Sequence, residues 1–201
     1  NAAWAGSRVT LETLPNQRQG SAVFSTGSGN EIPNPSAFAV LSANGTISAW
    51  GDSTKGGAGV PTLSGYTSIA SNSAAFAAIK NDGTIIAWGD TGKGGTGAPA
   101  VNNFVGIYST ATAFAGLRGD GGIRAWGDSV NGGSSYPMTF GWTSIYSNQT
   151  AFAAINYQGM IITWGNSLAG GYVGTGTLPA THTAAPLSTE LGYVSIASTN
   201  T

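Results

Sequence analysis

The sequence predicts an all-β repeat fold, and three observations carry that prediction. Phe38, Phe76, Phe114 and Phe152 step by 38 residues, as do Trp50, Trp88, Trp126 and Trp164, and each Trp follows its Phe by 12. A turn glycine (Gly45, Gly83, Gly121 or Gly159) lies between the two, preceded by Asn, Asp or Gln. Asn-Gly and Asp-Gly between alternating apolar residues are the strongest short hairpin signal. The residues around these landmarks alternate with period 2 and are rich in β-branched types, while no segment sustains a helical period. With a later glycine pair on the same step (Gly56-Gly57, Gly94-Gly95, Gly132-Gly133 and Gly170-Gly171), four landmarks hold one period through four copies and mark a repeat protein whose units bury their apolar faces on one another, so that residues 1–201 form a single domain.

Taken in order, residues 1–7 form a partial repeat: Ala2-Ala3-Trp4-Ala5-Gly6 is an approximate copy of the strand that ends at each later Trp. Trp4 precedes Trp50 by one period plus eight residues, which places a loop insertion at residues 27–35, where Gly, Asn and Pro cluster. Residues 8–21 alternate and are strand-capable, but they lack the landmarks and read as an atypical linker or strand. Four full repeats follow at 22–51, 68–89, 106–127 and 144–165. In each, a first strand of the Ile-x-Ser type precedes the Phe strand and the Trp strand. A Gly-Asp or Gly-Asn step and a later glycine pair, such as Gly94-Gly95, close each unit. Residues 166–192 form a long loop holding His182, and residues 193–201 open a further unit with a first strand only, including Val194 and Ile196.

Small antiparallel sheets repeating at about 40 residues suit a β-propeller of three-stranded blades. A parallel β-solenoid uses shorter coils and has no need of a hairpin in every repeat. The eight Phe and Trp landmarks, Phe38, Phe76, Phe114, Phe152, Trp50, Trp88, Trp126 and Trp164, are the expected core. The prediction is therefore four full repeats plus split partial repeats at both ends. Three closures fit that count: a piece of a longer propeller; a five-bladed ring whose last blade joins Ala2-Ala3-Trp4 to Val194-Ser195-Ile196; or pairing of the two ends between molecules, since an open edge invites strand addition.

The run Phe76-Ala77-Ala78-Ile79-Lys80-Asn81-Asp82-Gly83-Thr84-Ile85-Ile86-Ala87-Trp88-Gly89-Asp90, followed by Gly94-Gly95, resembles the repeats of the regulator-of-chromosome-condensation family over residues 22–198. The likeness is to the short bacterial form, similar to the secreted propeller inhibitor of β-lactamases. It implies a propeller fold and a protein-binding or inhibitory role. Family members usually have seven blades, and this sequence departs from them in number.

Composition narrows the function. Seven Lys/Arg stand against eight Asp/Glu, a net charge of −1, and no basic run offers itself to a phosphate backbone, which excludes nucleic acid as an expected partner. No cysteine is present, and no apolar run reaches the roughly 18 residues of a spanning helix. A surface of Ser, Thr, Asn and Gly suits a secreted or cell-surface protein. The chain starts at Asn1 without a leader, which reads as a mature, trimmed or excised chain.

Asp52, Asp90, Asp128 and Asn166 follow the four Trp residues; they read as acceptors for the amides of the glycine loop rather than as a cation ring, because the neutral Asn166 fills the role equally. Asp82 and Asp120 are turn formers. His182 has no second histidine or cysteine beside it, and no Ser elbow or Walker spacing occurs. No enzyme, cofactor or metal site is expected. Binding falls to residues that break the repeat: the loop aromatics Tyr136, Phe140, Trp142 and Tyr172, which could anchor a protein or stack on a sugar, and the end strands at Ala2, Ala3, Trp4, Val194 and Ile196. Trp142 aligns with Tyr66 and Phe104, so packing between blades is its competing reading. The expected function is a non-catalytic extracellular structural or assembly protein, joining copies of itself by completing a split blade. The alternative is a secreted inhibitor, protein-binding module or lectin-like glycan binder.

Overall fold

A computed structural model describes residues 32–171 and 192–198. Ala2, Ala3, Trp4, Tyr172 and His182, and the unit boundaries before residue 32, lie outside the described residues. Eleven strands are described: β1 (Ala37–Leu41), β2 (Ile47–Gly51), β3 (Tyr66–Ser71), β4 (Ala75–Lys80), β5 (Ile85–Gly89), β6 (Phe104–Ser109), β7 (Ala113–Arg118), β8 (Ile123–Gly127), β9 (Trp142–Ser147), β10 (Ala151–Asn156) and β11 (Ile161–Gly165). They form separate antiparallel sheets in chain order: β1-β2, β3-β4-β5, β6-β7-β8 and β9-β10-β11. The fold is all-β and propeller-type, one short sheet per repeat. The first strands of the second, third and fourth repeats begin at Tyr66, Phe104 and Trp142, two residues before the repeat starts at 68, 106 and 144, because a bulge near the strand start puts that aromatic in register with the end of the middle strand.

The register explains why Phe and Trp are 12 apart. Phe76 lies directly opposite Trp88, Phe114 opposite Trp126 and Phe152 opposite Trp164. Cross-strand partners share a face, and here their rings stack at 5.2–5.4 Å with interplanar angles of 22–26°. The hairpin between them closes tightly: the Gly83 amide donates to the Lys80 carbonyl (2.9 Å). Only the glycine takes the positive φ, +75°. Asp82 contributes differently, its Oδ1 accepting from the Thr84 amide (2.9 Å) and hydroxyl (2.6 Å). Gly83 has a second constraint. A Cβ there would lie 2.6 Å from the Asn103 amide nitrogen, and its carbonyl accepts from the Phe104 amide at 3.0 Å. The turn of one unit thus docks on the opening strand of the next, and this contact recurs from Gly45 to Tyr66, Gly121 to Trp142 and Gly159 to Tyr193.

The core is a series of seams between sheets. The first joins Ala37 and Ile47 to Tyr66, Ile69, Phe76 and Trp88; the second joins Ala75, Ala77 and Ile79 to Phe104, Ile107, Phe114 and Trp126. The third joins Ala113, Ala115, Leu117 and Ile123 to Trp142, Ile145, Phe152 and Trp164. In each seam the Phe–Trp pair faces back onto the preceding sheet, and small residues (Ala75, Ala77, Ala113, Ala115) receive it. The glycine pair completes the fit. The aromatic rings lie over Gly56, Gly94 and Gly132, where a Cβ would come within 2.6–2.8 Å of the next Phe ring. Each indole donates to the carbonyl beneath it: Trp88 to Gly56 (3.1 Å), Trp126 to Gly94 (3.0 Å) and Trp164 to Gly132 (3.1 Å).

Phe38 and Trp50 depart from the expected core. They stack like the others, at 5.5 Å, yet they are 52% and 54% exposed. Their letters match the buried pairs, but the pair faces backwards and no described sheet precedes it. Six of the eight aromatics are core, and these two are surface.

Candidate interaction site

The polar landmarks resolve into structure before function. Asp52, Asp90, Asp128 and Asn166 each cap a short turn, the side-chain oxygen accepting the amide two residues on at 2.8–3.0 Å. Asn166 does this as well as the acids do. A second series, Asn34, Asn72, Thr110 and Asn148, also steps by 38 and forms a clasp that the letters alone could have disclosed. Asn72 is fully buried; its Oδ1 accepts from the Ala74 and Ala75 amides and its Nδ2 donates to the Lys93 carbonyl at 2.6 Å. Asn34 and Asn148 repeat all three bonds, which puts Asn34 back in repeat register and ends the insertion before it. Thr110 achieves a shorter version with its hydroxyl.

Among the described residues no group of His, Cys, Asp or Glu could hold a metal ion, and no helix is long and apolar enough to cross a membrane. Asp90 and Asp128 are committed to their loops. The Lys55 ammonium, 3.0 Å from Asp90 Oδ2, holds that carboxyl below the usual carboxylate range, and the Gly92 amide helps. For Asp128, burial pushes upward but is outweighed by the Val130 amide, the Thr112 hydroxyl and the Asn131 side chain, so its pKa is also lowered. A carboxyl with a depressed folded pKa stabilises the fold above its unfolded value of about 3.9 and loses that contribution as pH falls through the folded value. Stability is therefore expected to decline below about pH 4. The Asp90→Asn variant keeps the cap, loses the ion pair and should show a shallower acid decline in urea melts run between about pH 5 and pH 2.

The loop aromatics separate by position. Trp142 is 5% exposed in β9, its indole donating to the Thr139 hydroxyl (3.2 Å), so its ring is packed in the third seam and not presented by a loop. Tyr136 is partly buried against the same seam, with the Arg124 guanidinium 6.0 Å from its ring centre. Phe140 is 60% exposed, and Met138 and Tyr157 are also open. These three side chains stand on the segments that flank β9 and β10.

Residues 192–198 dock on the last described sheet with the same bonds that join the sheets within the chain. The Tyr193 amide donates to the Gly159 carbonyl (3.2 Å), as the Trp142 amide donates to Gly121 (3.1 Å). The Ser198 hydroxyl donates to the Ser147 carbonyl (2.6 Å), matching the bond from Ser109 to Ser71 (2.7 Å). The Gly192 amide adds a bond to the Gln158 carbonyl (3.1 Å). Tyr193 and Ile196 pack on Tyr146, Ile155 and Ile161 in a fourth seam, the places that Trp142 and Ile145 hold in the third. Residues 192–198 thus make the docking contacts of a first strand, yet residues 194–197 join no strand ladder among the described residues. Val194 is 90% exposed, whereas Ile196 turns into the seam.

No protein-family model and no curated protein matches the sequence. Similar solved structures exist. The ectodomain of the Physcomitrella patens receptor kinase CR4 is 22% identical, with a TM-score of 0.54, covering 68% of this chain and 40% of its own length. The CRINKLY WD40 ectodomain of the Arabidopsis thaliana receptor kinase ACR4 is 16% identical, with a TM-score of 0.54, covering 67% of this chain and 49% of its own. Prp20p of Saccharomyces cerevisiae, the yeast RCC1, is 17% identical at a TM-score of 0.48, covering 74% of this chain and 48% of its own. The fold is that of a propeller. The chain spans less than half the length of these structures.

Proposed function

We propose that this chain is a non-catalytic, extracellular interaction module that joins neighbours by completing a split blade. The observation that carries the reading is the docked segment at 192–198. It has the turn bond and seam contacts of the first strands, while residues 194–197 stand outside any described ladder. Residues 194–197 of such a segment offer backbone donors and acceptors to an incoming hairpin. Extracellular placement rests on composition: a low charge content and a surface of small polar residues.

The direction of the offered amides follows from the other blades. Asn72, Thr110 and Asn148 each donate a backbone amide to the middle strand, at Ala75, Ala113 and Ala151. Alternation along a strand then aims the amide of the residue two before, Ala197 in this last segment, at the same neighbour. Ala197→Pro removes that donor while leaving Ile196 in its seam. Wild-type protein should gain mass with concentration in light scattering, and Ala197→Pro should stay at the single-chain mass. Equal association by both would reject strand completion.

The exposed trio Met138, Phe140 and Tyr157 favours a second reading, recognition of another protein or a glycan through loop apolar groups. Phe140→Ala should leave self-association unchanged under the first reading, and abolish partner or glycan-array binding under the second.

A further inference from the structure

We infer that the groove beside Gly170 is a socket for a stacked Phe–Trp pair, and that its occupant is the Phe38–Trp50 pair of a second copy of this chain. The inference rests on the split-blade reading and names the contact that would complete it. The groove has a volume of about 330 Å³ and is lined by Tyr146, Ala151, Ala153, Thr163, Gly170 and Ile196 among others. Its receiving parts match those of the three seams within the chain. Gly170 has φ +88° and stands where Gly56, Gly94 and Gly132 stand, but an ideal Cβ on those three lies within 2.8 Å of an aromatic ring, whereas one on Gly170 meets no described residue within 4 Å. Ala153 corresponds to Ala77 and Ala115. Those two are fully buried beneath an aromatic pair, whereas Ala153 is half-buried.

The other end of the chain carries the matching part. Phe38 and Trp50 are already stacked in the geometry of the buried pairs, and both are more than half exposed. Since the seam between β1-β2 and β3-β4-β5 and the two after it use one design, the back of β1-β2 is complementary to the front of β9-β10-β11. In the socket, the Trp50 indole would donate to the Gly170 carbonyl, as Trp88, Trp126 and Trp164 donate to Gly56, Gly94 and Gly132. Aromatic anchors in a preformed pocket are the usual energetic centre of an interface. The contact joins unlike surfaces, so it propagates head to tail and closes as a ring or extends as a filament.

Two variants and their mixture test this. Trp50→Ser disables the plug and keeps the socket; Ala153→Glu blocks the socket and keeps the plug. Each alone should remain at single-chain mass in light scattering at concentrations where wild type associates. Mixed in equal amounts they should form a heterodimer through the one intact plug and socket, and stop there. The mixture also reports that both variants are folded. Association of Trp50→Ser alone at wild-type strength would overturn the inference; if Ala197→Pro were monomeric at the same time, strand completion would survive it. A wild type that is monomeric throughout, its groove filled from within its own chain, would overturn both.

Discussion

Trp126→Ala should be among the most destabilising single substitutions in this chain, at about 3–5 kcal/mol. The indole is buried in the second seam with Phe104, Ile107 and Phe114, stacks on Phe114 at 5.3 Å, and donates to the Gly94 carbonyl at 3.0 Å. Truncation empties a space that Ala75 and Ala77 are too small to fill, and it leaves a buried carbonyl without its donor. Trp50→Ala deletes the same side chain from a half-exposed position and should cost far less in dilute solution. Urea melts of the two variants make the comparison. Because units couple mainly to their neighbours, Trp126→Ala should also broaden the transition by uncoupling the sheets on either side.

Asn72→Ala should rank beside it. The side chain is fully buried and satisfies three backbone groups: the amides of Ala74 and Ala75 and the carbonyl of Lys93. Leaving buried groups unpaired costs about 1–3 kcal/mol each, so a total of several kcal/mol is expected, reduced to the extent that water enters. Asn72→Thr should recover part of the loss, because Thr110 holds the equivalent turn through its hydroxyl. Thermal melts of the two variants test the clasp directly; equal losses would show that volume, not hydrogen bonding, sets the cost.

The repeat was readable because Phe, Trp and glycine keep their step, and each has a fixed mechanical role. Phe and Trp are cross-strand partners, and the glycine makes a turn that must approach the next unit closely. Burial was less readable. Phe38 has the same kind of letters around it as Phe76, but its exposure depends on what lies behind it, which a period in the letters does not say. Trp142 and Phe140 are both aromatic and two residues apart; the bulge at the strand start buries one and leaves the other outside. The clasp at Asn34, Asn72, Thr110 and Asn148 was present in the spacing, disguised by one Thr that substitutes for Asn. The socket at Gly170 could not be read from letters, since it is defined by comparison with filled seams.

The concentration dependence of the native mass decides whether copies of this chain join end to end. Sedimentation equilibrium of the full chain should show a single-chain mass on dilution and a rise to a dimer or longer chain as concentration increases, with the rise abolished in Trp50→Ser. A mass that stays at one chain across the whole concentration range would exclude joining of copies through the split blade.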